Sequence, residues 1–367
     1  MASAQQNLID ELEGVIADDD IGHRAAIFRR VTDLFLSTSG KLSDEQIALF
    51  DDVMSRLVEE IETSARATFG HVLATLADAP PKVVRRLALD DSIDVAGPIL
   101  AHSGQLDEMT LVESAKTKSQ AHLLAISQRK VLAESVTDVL VERGDQQVAL
   151  SAAGNPGAAF SEFGYSTLVQ RSSNDDDLAA RIWSRPEIPR QHLLKLFAAA
   201  SESVKHKLTS ADPRKANFIL EIVAQASHQI QTRAREKSAG FAAAHAHVQS
   251  LHVAGGLGEP QLAEFSGAGK FDETVVALSI MCDLPISLIE RAFVPDQPDQ
   301  IIVIAKAIGL SWATTKAIVL LQAGTKSGST HKFDQHFETF TRLKAETAKK
   351  AIQFYRLRER AVTPRLH

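Results

Sequence analysis

Between Asp94 and Leu196 the apolar positions recur in a fixed frame. Ser103, Arg129, Asn155 and Arg185 serve as anchors, spaced 26, 26 and 30 residues apart. Seven residues before each anchor stand Ala96, His122, Val148 and Leu178. Three before stand Leu100, Ile126, Ala152 and Ile182, and three after stand Leu106, Leu132, Ala158 and Ile188. Every one of these except His122 is apolar, so the columns read as repeated core positions. A period of this length marks units that bury their faces by stacking on one another. Gly104, Pro156 and Pro186 follow three of the anchors and put a turn there, giving helix, turn, helix in each unit.

The flanks are also helical in period. Leu8, Leu12 and Ile16 step by four along a first helix. Ala26, Ile27, Val31, Leu34 and Phe35 share a face of a second. Ser43-Asp44-Glu45-Gln46 has the form of a capping box and opens a third, running through Ile47 to Ile61 and on toward Leu73, with Pro80-Pro81 as its break. After Asp212-Pro213, a long helical face is predicted from about 214 to 254, ended by Gly255-Gly256. Leu278 to Phe293 and Ile304 to Val319 align at an offset of 26, a second duplication of helix pairs. Beyond a polar stretch at 324–329, one basic helix is predicted from Lys332 to Arg360. The expected class is therefore all-α: a HEAT-like helical-repeat solenoid with an additional C-terminal helical region. Its expected parts are an N-terminal segment 1–81, repeats 82–210, a helical region 211–322, and a tail 323–367.

Composition agrees with that class. Aromatic residues make up 5% of the chain, and sheets favour aromatic and β-branched residues. The net charge of −6 argues against nucleic acid or an anionic membrane as the partner. Cys282 is the single cysteine, so no intrachain disulfide forms. The N-terminus has no basic and apolar signal pattern, and the apolar runs are too short to cross a bilayer. A cytoplasmic protein is expected.

Candidate chemistry is sparse. His122 reads as a histidine bonded to a neighbouring turn, and Asn155-Pro156 as an asparagine cap. The arginines of the repeats are interleaved with Asp90, Asp91, Asp94 and Asp175–Asp177, which favours a mixed solvated face over a basic groove. His245, His247 and His252 lack the i, i+4 pairing of a zinc site. Gly267-Ala268-Gly269-Lys270 lacks the first glycine and the hydroxyl of a phosphate loop. "SWATTKAIVL" carries one lysine, too few cations for a DNA-recognition helix. Cys282 reads as a core thiol. No catalytic, cofactor or metal residues are assigned, and the chain is not expected to be an enzyme.

Three stretches carry a family resemblance: His122 to Gly144 followed by Asn155-Pro156-Gly157-Ala158; "RPEIPRQHLL", Arg185 to Leu194; and Leu284-Pro285 through Glu290-Arg291, with Ala307 to Trp312 after it. Together they resemble the alphaproteobacterial family called domain of unknown function 2336, over roughly 24–322. The resemblance implies an all-helical, HEAT-like or leucine-rich-variant-like protein and brings no activity, cofactor or catalytic residue with it. The function expected is recognition of another protein, with Arg129, Asn155, Trp183 and Arg185 as the exposed surface and Trp312 as an anchor between the later helix pairs. The alternative is a nucleic-acid or nucleotide binder using a basic groove. A homodimer is a further expectation, seamed by the face near 214–254 or by the C-terminal helix.

Overall fold

The computed structural model describes residues 21–38, 42–211, 213–294, 298–323 and 330–362. The helix expected at Leu8–Ile16 and the polar stretch 324–329 lie outside them. Among the described residues the chain is all-helical, and no helix is long and apolar enough to cross a membrane. The fold divides into two compact units, Met1–Gly164 and Tyr165–His367, so the boundary falls inside the stretch read as repeats, 82–210.

The first unit begins with α1 (Ile21–Thr38), α2 (Asp44–Leu57) and α3 (Thr63–Leu73). The capping box is present: Gln46 N donates to Ser43 Oγ, and Ser43 N donates to Gln46 Oε1 at 3.0 Å. The helix it opens stops at Leu57 and does not continue through Leu73. Pro80-Pro81 starts a helix as well as ending a segment. Pro81 is the first residue of α4 (Pro81–Ala88), where its missing N–H costs nothing. The next two amides, of Lys82 and Val83, both donate to the buried carboxylate of Asp51 on α2 at 2.9 Å.

Then come α5 (Ile93–His102), α6 (Glu108–Thr117), α7 (Gln120–Ser127), α8 (Glu134–Arg143) and α9 (Gln146–Gly154). The first helices of successive units pack on one another, α3 on α5, α5 on α7 and α7 on α9, while α6 packs on α8. This is why the columns exist: Leu100, Ile126 and Ala152 occupy one place in successive helices and are all fully buried. Burying a leucine or isoleucine side chain contributes about 1.5–3 kcal/mol. Of the twelve column positions only Ile188 stays half-exposed.

From α10 (Glu162–Arg171) the chain passes into the second unit, through α11 (Asp176–Trp183), to two helices of 22 residues each, α12 (Arg190–Ala211) and α13 (Ala216–Lys237). The helix expected to run from 214 to 254 is broken at Ser238, whose hydroxyl accepts from Phe241 N and caps α14 (Ala239–Val253). The core of this unit is built by α14, α15 (Glu259–Gly267), α16 (Phe271–Cys282), α17 (Ile286–Phe293), α18 (Asp299–Ala307) and α19 (Trp312–Ala323). The single tail helix expected at 332–360 is two, α20 (Thr330–Arg342) and α21 (Ala345–Val362). Phe340, Ala348 and Ile352 bring both into that core. Trp312 does not anchor the later helix pairs alone: its ring lies 5.4 Å from Phe337 and 5.5 Å from Phe340, so it holds the tail.

Candidate functional site

Two of the four anchors, Arg129 and Asn155, act on the backbone of the preceding helix and turn. Each first helix ends with carbonyls that no intrahelical amide can reach. In the first unit several carbonyls at and just beyond these ends are met by a side chain of the next helix pair. Gln105 donates to the Ala77 carbonyl. Arg129 donates to the carbonyls of Leu100 at 2.7 Å and Ser103 at 2.8 Å. Asn155 Nδ2 donates to those of Ser127 at 2.8 Å and Arg129 at 2.7 Å, while its Oδ1 accepts from Gly157 N at 2.9 Å. The result is a ladder in which each turn latches the previous one. Burial lowers the pKa of the Arg129 guanidinium, whose charge is spent on two carbonyl dipoles.

The same turn holds a backbone bridge. Leu132 N donates to the Gly157 carbonyl, and Ala159 N donates to the Leu132 carbonyl, both at 2.9 Å. The strands of chain approach so closely that a Cβ on Gly157 would stand 1.8 Å from the Lys130 carbonyl oxygen, which explains a glycine there. His122 is buried and works in the same way. Its Nε2 donates to the Asp90 carbonyl at 3.0 Å, and its Nδ1 lies 2.8 Å from Ser119 Oγ.

The four residues expected to form an exposed surface thus separate. Arg129 and Asn155 are half-buried, with their polar ends turned to backbone. Arg185 is buried, 6% exposed, and is ion-paired with Glu187. For Arg129 and Asn155 the reason is that a turn between stacked helices leaves carbonyls that must be satisfied before any outside partner is met. Trp183 alone presents its ring to solvent, 46% exposed, 6.3 Å from the Phe197 ring.

The charges of the first unit pair locally. Lys82 meets Asp52, Arg85 meets Glu113, Arg86 meets Glu59, Lys118 meets Asp91, and Arg66 meets Asp90. Their hydrogen bonds hold Asp52 and Asp91 below the usual carboxylate range and raise the Lys82 ammonium. The surface is a mixture of signs. Two apolar side chains stand out on it, Met109 (77% exposed) at the start of α6 and Val131 (76%) in the turn before α8. The Glu108–Ser135 hydrogen bond joins the same ends of α6 and α8. Neither was legible in the sequence, because a lone apolar residue beside a turn has no periodicity to reveal it.

In the second unit the stretch Arg185 to Leu194 supplies interior polar groups. Gln191 and His192 are buried beside Tyr165, whose ring lies 5.7 Å from that of His192 and nearly parallel to it. Burial raises the Tyr165 phenol above its ordinary value, against the pull of the neighbouring Arg185 guanidinium, so it stays neutral. Arg190 reaches Asp272 at 2.6 Å and also Glu290, whose other oxygen accepts from Arg235 at 3.1 Å. Arg190 lies 4.7 Å above the Phe241 ring as well. This network joins α12, α13, α16 and α17. A signal for it exists in the sequence: Glu290 falls on the apolar face of Ile286 and Phe293, where a carboxylate needs a partner.

The three histidines of α14 do not converge. His245 lies against Phe241, and His247 against Phe265. Gly269 has φ +73° and closes α15, so the glycine-rich run there is a helix end. A cleft of about 280 Å³ lies between α17, α18 and α21, floored by Leu288, Ile304 and Ile352 and bordered by Arg291, Asp299 and Tyr355. It falls below the roughly 300–1,000 Å³ typical of ligand pockets. Cys282 is buried in the core, and its thiol is pushed up to about 12 by burial.

No curated protein and no solved structure matches this chain. A family match covers residues 95–353, starting later than the resemblance read from 24 and reaching through α20 into α21. With more than half of its length matched, the chain belongs to the family described as an uncharacterised protein conserved in bacteria (DUF2336).

Proposed function

We propose that this chain is a non-enzymatic, cytoplasmic protein-interaction scaffold whose first unit is a HEAT-like stack of helical repeats. The observation that carries this reading is the ladder of Gln105, Arg129 and Asn155, each side chain bonded to carbonyls one repeat behind. Side chains spent in this way fix one unit on the next. A surface ordered before binding loses little further entropy when a partner arrives. Met109 and Val131 supply apolar contact points beside the starts of α6 and α8, on a surface whose charges are paired with each other. Such a patchwork suits a protein surface better than a polyphosphate, which would draw on unpaired cations of one sign.

The test is site-specific photocrosslinking from Val131 in the full-length chain, carried out in the native cell extract. A discrete protein adduct, lost when Met109 is replaced by Asp, is expected. Adducts to nucleic acid, or a protein adduct indifferent to Met109→Asp, would overturn the assignment.

A further inference from the structure

The α12–α13 hairpin has no core of its own. No described residue from 197 to 240 is buried, although the two helices run side by side for 22 residues each. Helices in water are held by packing an apolar face, and two alone leave most of theirs wet.

Most of the wet apolar side chains are ordered, Leu220 alone among the large ones lying outside the rows. Val204 and Leu208 stand one turn apart on α12. Phe218, Ile222, Ala226 and Ile230 step by four along α13. Each of the large ones is 45–61% exposed. Ser201 and Ser227 face each other across the hairpin, 3.1 Å between hydroxyl oxygens, and fix the register of the antiparallel pair. Turning about 100° per residue from that seam puts Val204 and Leu208 on the same side of the hairpin as Ile222, Ala226 and Ile230, with Phe218 at the outer edge, turned away from the seam. Phe197 extends the α12 row toward its base, where the exposed Trp183 lies against it. No charged side chain stands in either row.

We propose that this face is a two-fold interface, covered by the same face of a second copy of the chain to make a four-helix bundle. Three observations favour a second copy over another occupant. The hairpin is half of a four-helix bundle with matched helix lengths, and an identical hairpin supplies the missing half. The middle of the face is apolar on both helices, at Val204 and Leu208 and from Ile222 to Ile230, with Lys207, Arg233 and Lys237 around it, so its centre is complementary to itself, as a two-fold contact demands. Its exposed side chains present on the order of 500 Å² of apolar area, which with a polar margin reaches the ~800 Å² per partner of a stable interface. This inference is independent of the repeat scaffold, because its residues all lie in the second unit and its readout needs only the purified chain.

Sedimentation of the full-length chain at micromolar concentration tests it. The wild-type chain sediments at twice its monomer mass. The double variant Val204→Glu/Ile222→Glu sediments as a monomer with an unchanged far-UV circular dichroism spectrum, its dimer weakened about 100-fold or more. A monomeric wild-type chain, or a double variant that remains dimeric, overturns the proposal. Should the double variant misfold, Ala226→Cys decides independently. Ala226 is exposed near the middle of the face, so mild oxidation gives a disulfide-linked dimer. Failure to link, in a chain that sediments as a dimer, places the seam elsewhere and overturns the proposal too.

Discussion

Arg190 and Glu290, one hundred residues apart in sequence, form a buried ion pair at the junction of α12 and α17. Glu290 is 1% exposed, and its second oxygen is held by Arg235. Each charge has given up its water for the others, so no single member can be removed without stranding the rest.

Glu290→Gln therefore costs about 3–5 kcal/mol, the range found when one partner of a buried pair is lost. Both tryptophans, Trp183 and Trp312, lie in the second unit, so urea unfolding followed by tryptophan fluorescence reports on it directly. A loss under about 1 kcal/mol, the worth of an exposed pair, would show that the network is not what joins these helices.

Asn155→Ala leaves two carbonyls and one amide of adjoining turns without their partner. The expected cost is about 2–3 kcal/mol. Arg129→Lys should also destabilise, because an ammonium cannot span two carbonyls as a guanidinium fork does. Hydrogen exchange of the α7 and α9 amides checks both, with faster exchange expected there than in α1. Uniform protection would contradict the ladder.

The two duplicated helix pairs end their first helices alike. Gly309 has φ +78°, and Asp283, 26 residues earlier, has φ +49°. Leu284 N and Leu310 N donate back to the carbonyls of Ser279 and Ala305 in the same way. Glycine accepts this left-handed conformation without strain, whereas a side chain resists it by about 1 kcal/mol. Gly309→Ala is thus expected to lower stability by about 1 kcal/mol, and Asp283→Gly to be neutral or stabilising by up to that amount. Thermal midpoints of the two variants, moving in these opposite senses, are the check.

Cys282 stays a thiol in the folded chain. Burial raises its pKa from 9.0 to about 12, so the stability it confers is complete below pH 9 and is lost as pH rises toward 12. A thiol reagent at mildly alkaline pH reacts with the unfolded chain and spares the native one. Prompt reaction of the native protein would place the sulfur at the surface.

The period of 26 residues and the capping box at Ser43 were legible in the sequence, since both are local patterns of residue type. So were the burial of Leu100, Ile126 and Ile182 and the cap role of Asn155. The partner of each anchor was not, because Arg129 bonds to carbonyls, which every residue carries alike. The breaks at Ser238 and after Arg342 were hidden for a related reason. Helical propensity is continuous across both, and only the packing of Phe241 and Ile352 into the second unit's core turns the chain there.

Spacing along the chain was enough to show that it is helical, where its core columns fall and which family it resembles. Packing between distant segments is what buries Arg185 while Trp183 is exposed, brings Arg190 to Glu290, and leaves α12 and α13 without a core. Those outcomes depend on which distant surfaces exclude water from a side chain, and a periodic pattern says which face is apolar without saying what covers it.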